Sequence, residues 1–231
     1  LTAKARAKGV RGHEMDRDMI FYGYFRSSAA YRCRIAFNLK GLSPQTVFIN
    51  LREGAQKAPD FLALNPHGMV PAVASQGHFL TQSLAIIEWL EETHPAPALL
   101  PRDPFARAYV RSLALSIACD IHPLQNLRVL KHVRDSYGLD QTGVDQWCRR
   151  WIESGLASLE EMVNRAGTAG RFLYGDEPGL ADICLVPQMF SAVRFGADTS
   201  RLATLNRVAA HCGTLPAFAD AHPARQADAD M

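Results

Sequence analysis

No CxxC pair, no HExxH and no other paired-histidine spacing occurs in this 231-residue chain, although it holds five cysteines and eight histidines. Without residues at ligand spacing no metal is expected, and without paired thiols neither a disulfide framework nor a dithiol redox centre. The scattered, odd set of cysteines (Cys33, Cys119, Cys148, Cys184, Cys212) fits a reducing compartment and buried thiols, so a cytoplasmic protein is expected. Excess charge is missing too. Lysine and arginine number 25 against 23 aspartates and glutamates, a formal net charge of +2, and residues 1–18 account for that excess. A near-neutral body without a basic stripe argues against a nucleic-acid partner. No apolar run approaches the roughly 20 residues of a membrane span, and residues 1–14 lack the apolar segment of a secretory signal. A soluble protein with no membrane partner is expected, and residues 1–18 read as a disordered leader or extension outside the fold.

What is present is organised around residues 21–42, FYGYFRSSAAYRCRIAFNLKGL. The aromatic run Ile20 to Tyr24 reads as a buried strand, and the segment after Arg26-Ser27-Ser28 reads as a helix with Ile35, Ala36 and Leu39 at helical spacing, stopped by Gly41. A strand that feeds straight into a helix aims the first turn, with its free N–H groups and positive dipole end, at whatever lies beyond the strand. A thiolate or carboxylate is favoured there, and Ser27 or Ser28 can add a hydroxyl donor. Plain helix capping explains a serine at that place equally well. Cys33, mid-helix in apolar company, reads as a small core residue.

A second strand follows at Gln45 to Asn50, then a short helix around Phe61-Leu62, so the crossover implies a parallel pair. After NPHGMVPAV, residues 65–73, a hairpin leads to a strand at His78 to Leu80 and to the apolar helix Leu84 to Leu90. Proline cannot donate to a sheet ladder, so Pro71 signals either an edge strand or a bend or cis bond that turns the polar groups of Val70 outward. Gln82-Ser83 is a second polar pair at a helix N-terminus and suits a carboxylate, though capping alone would account for Ser83. A donor for a thiolate, a backbone edge for an extended peptide and a helix terminus for a carboxylate together match glutathione.

Three stretches of this half, FRSSAAYRCRIAFNLKGL, ALNPHGMVPAV and LTQSLAIIEWLEETHP, resemble the thioredoxin-like half of the zeta class of glutathione transferases, a class that includes maleylacetoacetate and maleylpyruvate isomerases. The resemblance continues beyond the proline-rich linker Pro95 to Pro104, where helical periodicity runs through Ala106–Ala118, Leu124–Val133, Val144–Val163, Ala181–Arg194 and Thr204–Cys212. CDIHPLQNLRVLKHV and GDEPGLADICLVPQMFSAVRF are similar to the matching segments of those isomerases. The expected fold is therefore an α/β thioredoxin-like domain over residues 19–100 followed by an all-α domain over residues 105–225.

The resemblance implies roles for particular residues. Ser27 would hydrogen-bond the glutathione sulfur and Ser28 would be a second donor. Val70, ahead of Pro71, would pair its main chain with the tripeptide, and Gln82 with Ser83 would hold the γ-glutamyl carboxylate. Gln56, His122, Asn126 and Arg128 fall where the family places further contacts, although a hydrogen-bonded helix residue before Pro123 explains His122 as well. Arg26 and Arg194 match arginines suited to a dicarboxylate substrate. The implied reaction is cis–trans isomerisation with glutathione as cofactor, and the implied assembly is a homodimer. A glutathione transferase or dehalogenase acting on small electrophiles, or a non-catalytic binding protein on the same fold, are the alternatives. Two departures stand out. The family motif Ser-Ser-Cys-Xaa-Trp-Arg reads here Ser27-Ser28-Ala29-Ala30-Tyr31-Arg32, and the helix start Ser/Thr-x-x-Asp reads Gly179-Leu180-Ala181-Asp182.

Overall fold

The computed structural model describes residues 18–229, so the expected leader, residues 1–18, lies outside the described residues except for Asp18. The described chain forms two compact units, residues up to 97 together with 217–229, and residues 98–216.

In the first unit, strand β1 (Ile20–Gly23) leads into helix α1 (Ser28–Lys40), then β2 (Gln45–Phe48), α2 (Pro59–Leu64), β3 (Ala72–Ser75), β4 (His78–Thr81) and α3 (Ser83–Thr93). The sheet order is β2-β1-β3-β4. β1 runs parallel to β2 and antiparallel to β3, and β3 pairs antiparallel with β4. The expected βαβ-ββα order is therefore realised. Strand β1 is central because its apolar side chains are wanted inside: Phe21 is buried and meets the Phe37 ring of α1 edge-on at 5.2 Å. Helix α1 stops at Gly41, which takes the left-handed conformation with φ 69° and donates to Phe37 and Asn38 carbonyls.

Helix α1 is buried almost all round, so it also buries charge. Lys40 Nζ donates to Glu91 Oε2 at 2.7 Å and to the Pro97 carbonyl at 2.6 Å, which ties α1 to the end of α3. Cys33 is fully buried, a core residue.

The second unit is helical: α4 (Pro104–Leu115), a π-helical turn (Ser116–Ile121), a 3-10 turn (His122–Gln125), α5 (Leu127–Tyr137), α6 (Gln141–Ala166), α7 (Leu180–Phe195) and α8 (Ala203–Gly213). Helix α6 buries Val144, Cys148, Ile152, Leu156, Leu159 and Val163 at spacings of three and four, one apolar stripe. Helix α7 starts at Gly179, where the Leu99 carbonyl lies only 3.0 Å from where a Cβ would stand. Glycine has no side-chain oxygen for the helix N-terminus, so only the return half of a capping box is made: the Gly179 N–H donates to Asp182 Oδ2 at 2.9 Å.

The sequence reading runs the helical domain on to residue 225, whereas the structure packs 217–229 with the first unit. Polar groups of α1 explain the difference. Asn38 donates to the Ala217 carbonyl at 2.8 Å and Arg34 Nε to the Ala221 carbonyl at 3.0 Å, neither of which leaves a periodic signal.

Candidate active site

Strand register brings four loops to one end of the sheet. Gly23 at the end of β1 pairs with Phe48 at the end of β2, Tyr22 with Ala72 at the start of β3, and Ala72 with Thr81 at the end of β4. The segments that leave this end are Tyr24–Ser27, the β2–α2 loop with Gln56, Val70–Pro71, and Gln82–Ser83. Most of the binding residues expected in the first half of the chain therefore share one edge, although they lie up to 56 positions apart, from Ser27 to Ser83.

Ser27 is the N-cap of α1, and its Oγ accepts the Ala30 N–H at 3.2 Å. Capping and thiolate activation do not compete, because that bond uses a lone pair and leaves the hydroxyl hydrogen to donate. Ser28 opens the helix and Ala29 follows it in the first turn. The Val70–Pro71 bond is cis, as one of the sequence readings has it. Among the described residues the main-chain N–H and C=O of Val70 have no hydrogen-bond partner. The approach to Val70 is braced by Asn65, whose Nδ2 donates to the Met69 carbonyl at 2.8 Å and whose Oδ1 accepts the His67 N–H at 3.2 Å. Gly68 in this loop has φ 56°, and a Cβ there would lie 2.8 Å from the Gln56 carbonyl, so no larger residue fits. Gln56 itself keeps a buried Oε1 that has no partner among the described residues.

At the fourth segment Gln82 takes φ 69°, an unusual conformation for a residue with a side chain, and provides no side-chain cap to α3. The first-turn N–H groups of α3 are thus left for another acceptor. Ser83 is buried, and its Oγ accepts from Arg32 Nη1 at 3.3 Å. Arg32 is itself buried, and among the described residues its Nε and Nη2 have no partner. A ligand with an extended amide backbone and a carboxylate, such as glutathione, fits these unused main-chain groups, the orphaned Gln56 oxygen and the bare α3 terminus.

Arg26 and Arg52 place their guanidinium groups 5.9 and 5.6 Å from the centroid of the same Phe25 ring. Arg26 is an expected site residue. Arg52 is not, since an arginine in a polar loop carries no periodic or motif signal.

The remaining expected residues belong to the helical unit. His122 opens the 3-10 turn. Asn126 caps α5, its Oδ1 accepting the Arg128 N–H at 3.2 Å, and the Arg128 side chain is exposed. Arg194, in the last turn of α7, is exposed and stacks on Phe195 at 4.9 Å. Among the described residues no group of three or more His, Cys, Asp or Glu could hold a metal, and no helix is long and apolar enough to cross a membrane.

A thioredoxin-like unit with an N-capping serine at its first helix and a helical unit after it defines the glutathione transferase class, and residues 17–92 match the family "Glutathione S-transferase, N-terminal domain". The chain belongs to the maleylacetoacetate isomerase family of zeta-class glutathione transferases. It is 46% identical over 213 residues to the maleylacetoacetate isomerase of Pseudomonas aeruginosa, covering 91% of this chain and 98% of that protein. It superposes with TM-score 0.89 at 42% identity on the holo structure of a maleylpyruvate isomerase described as a bacterial zeta-class glutathione S-transferase, covering 90% of this chain and 99% of that one. With TM-score 0.88 and 43% identity it matches the maleylacetoacetate isomerase of Methylobacterium extorquens AM1, solved with bound malonate and glutathione, over 92% of this chain and 100% of that one.

Proposed function

We propose that this protein is a glutathione-dependent cis–trans isomerase of maleylacetoacetate or maleylpyruvate, a cytoplasmic homodimer serving the breakdown of aromatic compounds. The observation that carries this reading is the near-complete likeness to the Methylobacterium isomerase, which holds both glutathione and a small dicarboxylate. Bound glutathione supplies a thiolate that adds to the conjugated cis double bond, frees it to rotate, and leaves again. The chain's own residues do the rest. Ser27 donates its hydroxyl hydrogen to the sulfur, and the α1 N-terminus adds its positive dipole end, so the ionised form is favoured. Val70 offers a free N–H and C=O to the tripeptide backbone, Gln56 adds its unpaired oxygen, and Gln82 with Ser83 and the α3 terminus takes the γ-glutamyl carboxylate. Ser28, His122, Asn126, Arg128 and Arg194 keep the roles implied by the family resemblance. Ala29 leaves no protein thiol in this turn, so the nucleophile is the cofactor's alone.

Purified protein assayed with maleylpyruvate and with maleylacetoacetate should turn over at least one of them, and only when glutathione is present. Full activity without glutathione would remove the cofactor from this reading, and inactivity on both acids in its presence would remove the reaction.

Arg26 and Arg52, gathered on one Phe25 ring, are read as the cations that meet the substrate carboxylates on the thioredoxin-like unit. Arg26→Leu is expected to raise KM for the dicarboxylate about tenfold and the more exposed Arg52→Leu about threefold, both effects shrinking as salt is added. Steady-state kinetics at low and high ionic strength check this, and a KM untouched in both variants would move carboxylate binding elsewhere.

A further inference from the structure

The turn that delivers Ser27 is held by the far end of the chain. Its backbone is closed by the Ser27 N–H donating to the Tyr24 carbonyl at 3.1 Å. The Phe25 N–H donates to Asp228 Oδ2 at 2.8 Å, a buried bond across 203 residues. The Phe25 carbonyl accepts from Arg34 Nη2 at 3.0 Å, and the Tyr24 carbonyl from Arg34 Nη1 at 3.4 Å. Both peptide groups flanking Phe25 are thus fixed by side chains, two residues ahead of the catalytic hydroxyl. The same Arg34 reaches the Ala221 carbonyl, His222 meets the Tyr31 ring edge-on at 6.1 Å, and Ala229 packs on the cluster of Tyr24, Phe25, Ile49, Phe61 and Val70. That cluster contains the residue read as the glutathione backbone contact as well as the Ser27 turn.

Docking a tail needs only apolar contact, and burying a carboxylate and a guanidinium for it is costly. Asp228 is 3% exposed, and among the described residues its Oδ1 has no partner while its Oδ2 accepts from the Ser27 turn. Burial lowers Arg34 to about 10 while Asp228 and its other neighbours pull the other way, so Arg34 keeps its charge at neutral pH. What the two side chains share is Phe25, whose N–H goes to Asp228 and whose carbonyl accepts from Arg34. We infer that residues 217–229 form a clasp in which Asp228, with Arg34, is a positioning residue that sets the direction of the Ser27 hydroxyl. This rests on the reading of Ser27 as the donor to the cofactor sulfur.

The test uses the full chain, with Asp228→Ala and Asp228→Asn. In the unaltered protein the Phe25 amide, though in a loop, should exchange its hydrogen as slowly as amides of β1, and a freely exchanging Phe25 amide overturns the clasp without any variant. Asp228→Ala should speed that exchange at least about tenfold, raise the pKa of bound glutathione read from thiolate absorbance, and lower kcat near neutral pH about tenfold with substrate KM within about threefold. Asp228→Asn keeps an oxygen for the Phe25 N–H and should restore most of the protection and of kcat. A folded Asp228→Ala with unchanged thiol pKa and kcat overturns the inference, as does an equal loss in both variants. Ser27→Ala measured beside them separates the two claims. If it leaves the thiol pKa unmoved, the role of Ser27 falls; if it raises that pKa while Asp228→Ala does not, only the clasp falls.

Discussion

Ser27→Ala is expected to slow glutathione-dependent turnover at neutral pH by roughly ten- to a hundredfold, about 1–3 kcal/mol, the range for losing a hydrogen bond to a charged group. A serine hydroxyl has one hydrogen to donate and lone pairs to accept with. Its oxygen caps α1 by accepting the Ala30 N–H, a bond that does not use its own hydrogen, which in the proposed mechanism goes to the sulfur. Alanine removes both, so the substitution should also cost about 1 kcal/mol of stability through the lost cap. The two losses come apart in other variants. Ser27→Thr keeps cap and donor and should retain most of the rate. Ser27→Asp keeps a capping oxygen but brings a negative charge to the sulfur, so it should hold the stability and lose the rate. Ala29→Cys, which restores the residue usual in the family, should change the rate only modestly. The check is kcat against pH with the bound thiol pKa and the melting temperature for each variant. A Ser27→Ala protein with unchanged thiol pKa would pass the activating role to Ser28 or to the helix terminus.

The legible parts of this protein are those whose physics is local in sequence. A strand, a serine pair and a helix stopped by glycine can be read from residues 20–41, and Ser27 caps that helix in the structure. Capping and the proposed donation to the cofactor sulfur fall on one serine, which is why the sequence alone leaves them open. Asn126 shows the same overlap: the resemblance marks it as a contact, and the structure gives its side chain a capping bond. What stays illegible is long-range and polar. Lys40 and Glu91 are ordinary charges in their own helices, yet they form a buried pair at 2.7 Å. Arg34 and Asp228 lie 194 positions apart, and nothing near either announces that both hold Phe25. Asn65 and Arg52 are likewise ordinary loop residues until their neighbours are known.

Asp182→Ala is expected to destabilise the fold by roughly 2–5 kcal/mol under mildly acid conditions, because it leaves two backbone donors without partners. Asp182 Oδ1 accepts the Leu173 N–H and Oδ2 the Gly179 N–H, both at 2.9 Å, and Gly179 cannot compensate from its own side chain. The residue is 1% exposed, and burial pushes its carboxyl up to about 6, against the opposing pull of the backbone donors. The direction of the pH effect follows from this. An acid whose folded pKa lies above its unfolded value of 3.8 holds an extra proton in the folded state between those two values, so folding is favoured at low pH. The stability that Asp182 contributes is therefore full below about pH 4, falls as pH rises towards 6, and is level above that. The fall is roughly 3 kcal/mol, since each tenfold change in proton affinity is worth about 1.4 kcal/mol. Alanine has no such proton, so the gap between parent and variant should be widest near pH 4 and narrow by neutrality. Urea unfolding of both proteins at pH 4.5, 6 and 7.5 measures that gap directly. A gap that widened with pH would mean that the Leu173 and Gly179 donors outweigh burial and that Asp182 is held ionised across the range.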